Sequence, residues 1–172
     1  MNIFFLDTDT KQCAKYHCDK HVVKMILEYC QLLSTAHRVL DEGELDPWMD
    51  ERLYKITHKN HPSSVWVRQN ARNYQYVFDL LYSLSQEYRQ RYGKGHKSWD
   101  NLKFALCMYP KNISLTDIKE PLDLDDAPQC MPDEYKDKST IQAYRNYYNG
   151  DKAYMAKWSK SVTPEWFKPV EN

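Results

Sequence analysis

Between Ala14 and Leu40, apolar residues crowd almost every side of a helical projection: Cys18, Val22, Val23, Met25, Ile26, Leu27, Tyr29, Cys30, Leu32, Leu33, Ala36, Val39 and Leu40. A helix that is apolar nearly all round is buried, so this stretch reads as a central helix. The spacing predicts that it runs from caps within Asp7-Thr8-Asp9-Thr10 to about Leu40. One polar stripe interrupts it. His17, His21, Lys24 and Glu28 follow one another at intervals of four, three and four residues, which stacks them on one side of a 3.6-residue helix. Ahead of it, Asn2–Leu6 is a short apolar run, expected as an extended segment tucked into the core.

A second periodic stretch opens at His61-Pro62-Ser63-Ser64, with Pro62 or Ser63 in its first turn. It carries Val67, Ala71, Tyr74, Phe78, Leu81 and Tyr88 on one stripe and stops at Gly93. Residues 41–61 read mostly as loop. A shorter helix is expected over Ser98–Met108, ended by Pro110, and helical patterns recur over Thr140–Tyr148 and Lys152–Ser159. The prolines and acids from Asn112 to Lys138 describe an irregular arm. The fold class expected is all-α: two long central helices with shorter C-terminal helices and long irregular loops, in a single helical domain over residues 1–172.

Composition supports this. With 4 Gly in 172 residues the chain lacks the turns of a β-rich fold. No run approaches the roughly 18 apolar residues of a membrane span, and Met1–Asp7 lacks a basic n-region, so neither a membrane helix nor a signal peptide is expected. Five cysteines, an odd number with three in one predicted helix, suit a reducing compartment and hence a cytoplasmic protein. The formal charge of zero hides segregation. Residues 41–51 hold six acids and no base, and residues 117–137 hold eight acids against Lys119 and Lys136. Between Arg52 and Lys111 stand eleven Lys/Arg against Asp79, Glu87 and Asp100. Two acidic loops on a basic body leave room for a nucleic-acid face.

An acid, an amine and two imidazoles on one stripe are materials for acid–base, Schiff-base or metal chemistry; they also fit a satisfied structural network. Candidate catalytic residues are therefore Glu28, Lys24, His21 and His17. Burial beside the two histidines would depress the Lys24 pKa toward nucleophilicity. His58-Lys59-Asn60-His61, before the second helix, suits phosphate. If that loop meets the first helix, four histidines converge. Cys13, His17, His21 and His58, with His61 nearby, are the corresponding zinc alternative. Arg68, Arg72, Lys94, Lys97 and Arg145, with His58 and His61, form the candidate DNA-binding set. Tyr144, Tyr147, Tyr148, Trp158 and Trp166 interleave rings with charge, as flipped or single-stranded nucleotides require.

The segment Asp19-Lys20-His21-Val22-Val23-Lys24-Met25-Ile26-Leu27-Glu28-Tyr29 resembles the first helix of the small all-α pyrimidine-dimer DNA glycosylases, the phage endonuclease V type. That family has a short N-terminal segment running into a helix with a His and, seven residues later, the catalytic Glu; His21 and Glu28 keep that interval. Met131-Pro132-Asp133-Glu134-Tyr135, the later Arg145, and Pro164-Glu165-Trp166-Phe167 are further echoes. The resemblance implies that Glu28 is the catalytic acid and that His21 helps to seat the DNA backbone. Two departures stand out. The family's nucleophile is an N-terminal amine freed by removing Met before a small residue, whereas Asn2 predicts that Met1 is retained. The family's arginines around the Glu are missing, since Leu27, Gln31 and Leu32 are uncharged.

The leading expectation is a DNA-directed base-excision enzyme, a glycosylase with or without lyase activity, acting on a flipped or modified base without a cofactor. Two chemistries fit: attack on C1′ by Lys24 or the Met1 amine with Glu28 assisting an imine, or hydrolysis by a water that Glu28 activates. The alternatives are a zinc-dependent hydrolase on the histidine cluster and a non-catalytic phage factor that captures a nucleotide or a host protein.

Overall fold

The computed structural model describes residues 1–116 and 118–169. Among them are seven α-helices and no strand: α1 (Thr10–Tyr16), α2 (Asp19–Leu40), α3 (Pro47–Asp50), α4 (Pro62–Val67), α5 (Ala71–Tyr92), α6 (Lys97–Leu106) and α7 (Thr140–Asn149). The all-α expectation holds, with α2 and α5 as its two long members packed against each other. No described helix is long and apolar enough to cross a membrane. Asp117, one acid of the irregular arm, lies outside the described residues, as do residues 170–172.

The first predicted helix is two. α1 ends at Tyr16, His17 turns out of the helical region (ψ 127°), and α2 begins at Asp19. The break is capped from distant parts of the chain. The guanidinium of Arg91, buried on α5, donates to the carbonyls of Lys15 and His17 and pairs with Asp19 and Glu87. The Trp158 indole donates to Tyr16 O, and Asp19 N–H donates to Lys157 O. Carbonyls orphaned at a helix end must find such donors.

The second predicted helix also divides. α4 stops at Val67, and Asn70 caps α5 by accepting from Asn73 N–H. Asn73 in turn donates to Trp66 O across the break. Gly93 ends α5 in the left-handed conformation, φ +69°. No heavy atom lies within 4 Å of a Cβ built there, so Gly93→Ala costs only backbone strain, about 1 kcal/mol. A urea midpoint unchanged in that variant would refute this. Lys152–Ser159 is a run of turns rather than the expected helix, held by Asp19 through Ser159 and Lys157. Residues 112–116 and 118–138 form the expected irregular arm, with two short 3-10 turns.

Ile3, Phe4, Phe5 and Leu6 are buried at the centre. Phe5 packs among Trp66, Tyr76 and Tyr144, and Phe4 packs among His17, His21, Tyr144 and Tyr148. An extended segment inside helices has no ladder to satisfy its backbone, so side chains do it. Phe4 N–H donates to the Tyr29 hydroxyl, the Cys13 thiol donates to Phe4 O and accepts from Leu6 N–H, and Arg145 donates twice to Leu6 O.

Candidate active site

α2 is buried on every side but one. Lys20, Val23, Lys24, Leu27, Glu28 and Gln31 form its open or half-open face. The stripe read from the sequence is roofed at its start and open at its end. His21 lies under the ring of Phe4, stacked at 4.2 Å between centroids, and its Nδ1 shares a 2.5 Å hydrogen bond with the Tyr148 hydroxyl. Two turns on, Glu28 reaches the chain's first residue: Oε2 stands 4.0 Å from the amino group of Met1, and Oε1 stands 3.2 Å from Lys24 Nζ.

The interval from His21 to Glu28 has a geometric reason. Seven residues of helix rise about 10.5 Å, and three residues of extended chain span about 10 Å. With Phe4 seated on His21, residue 1 therefore arrives at Glu28. Asn2 secures the same run by donating from Nδ2 to Cys130 O.

The histidines thus divide in two. His17 is fully buried, and both its nitrogens are engaged: Nδ1–H donates to Cys13 O at 2.8 Å, and Nε2 accepts from Tyr29 O–H at 3.0 Å. Because a carbonyl only accepts, this fixes the neutral tautomer. Burial holds His17 down to about 4, and holds His21, with His17, Lys152 and Lys24 as lesser positive neighbours, down to about 2. His21, expected to help seat the DNA backbone, is buried and stacks on Phe4 of the N-terminal segment. His61 lies at the surface with Glu28. Its ring is shifted down by partial burial first and then by the Met1 amine and His58, while Glu28 pulls it up. Its Nδ1 caps α4 by accepting from Ser63 N–H. His58, exposed at φ +47°, leads the same loop, which Thr57 ties to Thr35 of α2 through two hydrogen bonds. The loop does meet α2, but the four histidines form no common cluster.

The other expected residues are also placed. Lys24 is 69% exposed, so the burial expected to activate it is absent. The zinc alternative loses its geometry: among the described residues no group of three or more His, Cys, Asp or Glu could hold an ion. Cys13 is spent on Phe4 and Leu6, and burial raises its thiol to about 11, far from a thiolate ligand. Three arginines of the expected DNA face bond to backbone. Arg68 donates to Lys59 O and Arg72 to Pro121 O; Arg145 donates to Leu6 O, pairs with Asp7, and lies near the rings of Tyr16 and Trp166. Lys94 and Lys97 are exposed, and His96 between them donates from Nε2 to Val23 O, bringing their loop to α2. Of the aromatic set, Tyr144, Tyr147, Tyr148 and Trp158 belong to the core.

Both amines that the sequence offers as nucleophile, those of Met1 and Lys24, lie beside Glu28. The Met1 amine is brought there by the Phe4–His21 stack, which no sequence pattern announces. A family model described as pyrimidine dimer DNA glycosylase matches residues 1–101. That stretch includes residue 1, all of α2, the His58–His61 loop and the Lys94–Lys97 loop. No curated protein and no solved structure matches the chain.

Proposed function

The chain belongs to the pyrimidine dimer DNA glycosylase family, and on that premise we propose that it cleaves the glycosidic bond of a damaged nucleotide in duplex DNA, with the amino group of residue 1 as nucleophile and Glu28 as acid–base partner. The observation that carries this reading is the 4.0 Å approach of that amine to Glu28 Oε2. The neutral amine forms a bond to C1′ of the target nucleotide as the C1′–N bond breaks and its electron pair leaves with the base. Glu28 takes up the proton that the nitrogen loses and delivers it to the ring oxygen as the sugar opens to an imine. Water then hydrolyses the imine. Loss of a C2′ proton from the imine, with departure of the 3′ phosphate, would add strand cleavage. Lys24, paired with Glu28 but exposed, serves as a phosphate contact beside Lys94 and Lys97.

Borohydride trapping tests this. With duplexes carrying a thymine dimer or an abasic site, peptide mapping should place the reduced adduct on residue 1, in the native sequence and in Lys24→Arg alike. An adduct on Lys24, or none on any duplex, would sink the reading.

A further inference from the structure

α4 packs on α2, and its first turn is tied to the start of the chain through Cys130. Asn2 Nδ2 donates to Cys130 O at 2.9 Å, and the Cys130 thiol lies 3.7 Å from the Ser63 hydroxyl. The residue that caps this turn is the half-buried His61. Ser63 N–H donates to its Nδ1 at 3.1 Å. A backbone N–H only donates, so Nδ1 carries a lone pair and the neutral ring holds its proton on Nε2. A second proton would have to sit on Nδ1, against that N–H, and would break the cap. Partial burial first, then the Met1 amine and His58, also hold the ring below its ordinary pKa. At neutral pH it is therefore uncharged. Its Nε2–H meets no acceptor among the described residues. The neighbouring groups are already engaged: His17 and His21 are buried, His58 Nδ1 shares a 2.7 Å hydrogen bond with the Thr57 hydroxyl, and Lys24 pairs with Glu28. His61 is thus a fixed, neutral N–H donor within electrostatic reach of the Met1 amine and Glu28.

Glycosidic cleavage needs such a donor. As the C1′–N1 bond breaks, its electron pair spreads from the pyrimidine N1 through C2 to O2. O2 stands on the carbon next to N1 and is displayed in the minor groove, so a donor that serves it must lie beside the amine attacking C1′. A preorganised donor aimed at developing charge is among the strongest catalytic devices. We propose that His61 is a further catalytic residue, whose Nε2–H donates to O2 of the pyrimidine and stabilises the anion formed as the C1′–N1 bond breaks. This rests on the excision reading above and adds its leaving-group half, which neither the amine nor Glu28 serves. The imidazole keeps its proton throughout, and the pyrimidine N1 afterwards takes one from solvent.

The test compares two substrates in one duplex context, a thymine dimer and an abasic site at the same position. Only the first has a glycosidic bond to break; both form the imine with residue 1. His61→Ser is the variant. Serine is among the best N-caps, so α4 keeps its acceptor and the melting temperature should not move, while the shorter side chain cannot place a donor where Nε2 stands. Single-turnover cleavage of the dimer glycosidic bond should slow by about 10²-fold. Borohydride trapping on the abasic duplex should keep the native rate, which also shows that the fold, the amine and Glu28 are intact. Equal slowing on both duplexes would make His61 a DNA contact or a support for residue 1, and native rates on both would leave it a cap alone. Either result overturns the proposal while excision stands. No trapping by the native sequence on either duplex would overturn excision, and the role of His61 with it.

Discussion

Glu28→Gln is expected to slow single-turnover cleavage of the glycosidic bond in a dimer-containing duplex by about 10²–10⁴-fold, with the fold unchanged. The substitution is nearly isosteric, and an amide oxygen still faces the groups the carboxylate meets, Lys24 Nζ at 3.2 Å and the Met1 amine at 4.0 Å. What it cannot do is carry the proton that, in the proposed reaction, leaves the nucleophilic nitrogen and returns to the sugar oxygen. Stability should move by no more than about 1 kcal/mol, since the paired lysine is exposed and such ion pairs contribute little. Lys24→Ala provides the contrast. It removes the other partner of the same carboxylate, yet Lys24 holds no proton that the reaction uses, so its loss should cost less than about tenfold through weaker DNA contact. Rates measured at saturating enzyme separate the two roles. A native rate in Glu28→Gln would remove Glu28 from the chemistry.

Much of this site was legible in the chain, for identifiable reasons. The buried character of α2 follows from apolar residues on nearly all its sides, and the end of α5 follows from Gly93. The interval between His21 and Glu28 carried the family likeness even though its cause, the length of the extended segment lying along α2, needs the fold. Local pattern failed where distant groups cap the backbone. Nothing near His17 breaks a helix; Arg91, Trp158 and Lys157 do so from 74, 142 and 138 residues or so away in sequence. The same applies to Arg145 and Cys13, whose residue types suit phosphate and metal but whose partners are the carbonyls of Phe4 and Leu6. Sequence spacing assigned His17 and His21 to chemistry because it shows that they share a side of a helix, not that Phe4 roofs that side. His17 and His21 pack on Phe4, in the segment that brings residue 1 to Glu28.

That packing should fail in acid. His17 and His21 are buried and neutral, with folded values near 4 and 2 against about 6.5 in an unfolded chain. Above pH 6.5 both states hold these rings neutral and their stabilising contacts are fully present. As pH falls below 6.5 the unfolded chain takes up protons that the folded one refuses, and stability declines by about 1.4 kcal/mol per pH unit for each ring. By pH 4 the loss is about 3 kcal/mol for each ring taken alone and less than the sum for the pair, because part of the His21 shift comes from a charged His17, yet a large share of the stability of a domain this size. His37, lowered to about 4 by burial even with Asp41 at 3.9 Å pulling it up, adds a loss in the same direction. The chemistry of the contacts agrees with the sign. A proton on His17 Nε2 would face the Tyr29 hydroxyl, which already accepts from Phe4 N–H and would have to turn its own proton away. Urea midpoints at pH 7, 6, 5 and 4 should therefore fall steeply, with unfolding in buffer near pH 4. A midpoint that stays level from pH 7 to pH 5 would mean that the imidazoles accept protons in place, and the neutral cradle described for Phe4 would be wrong.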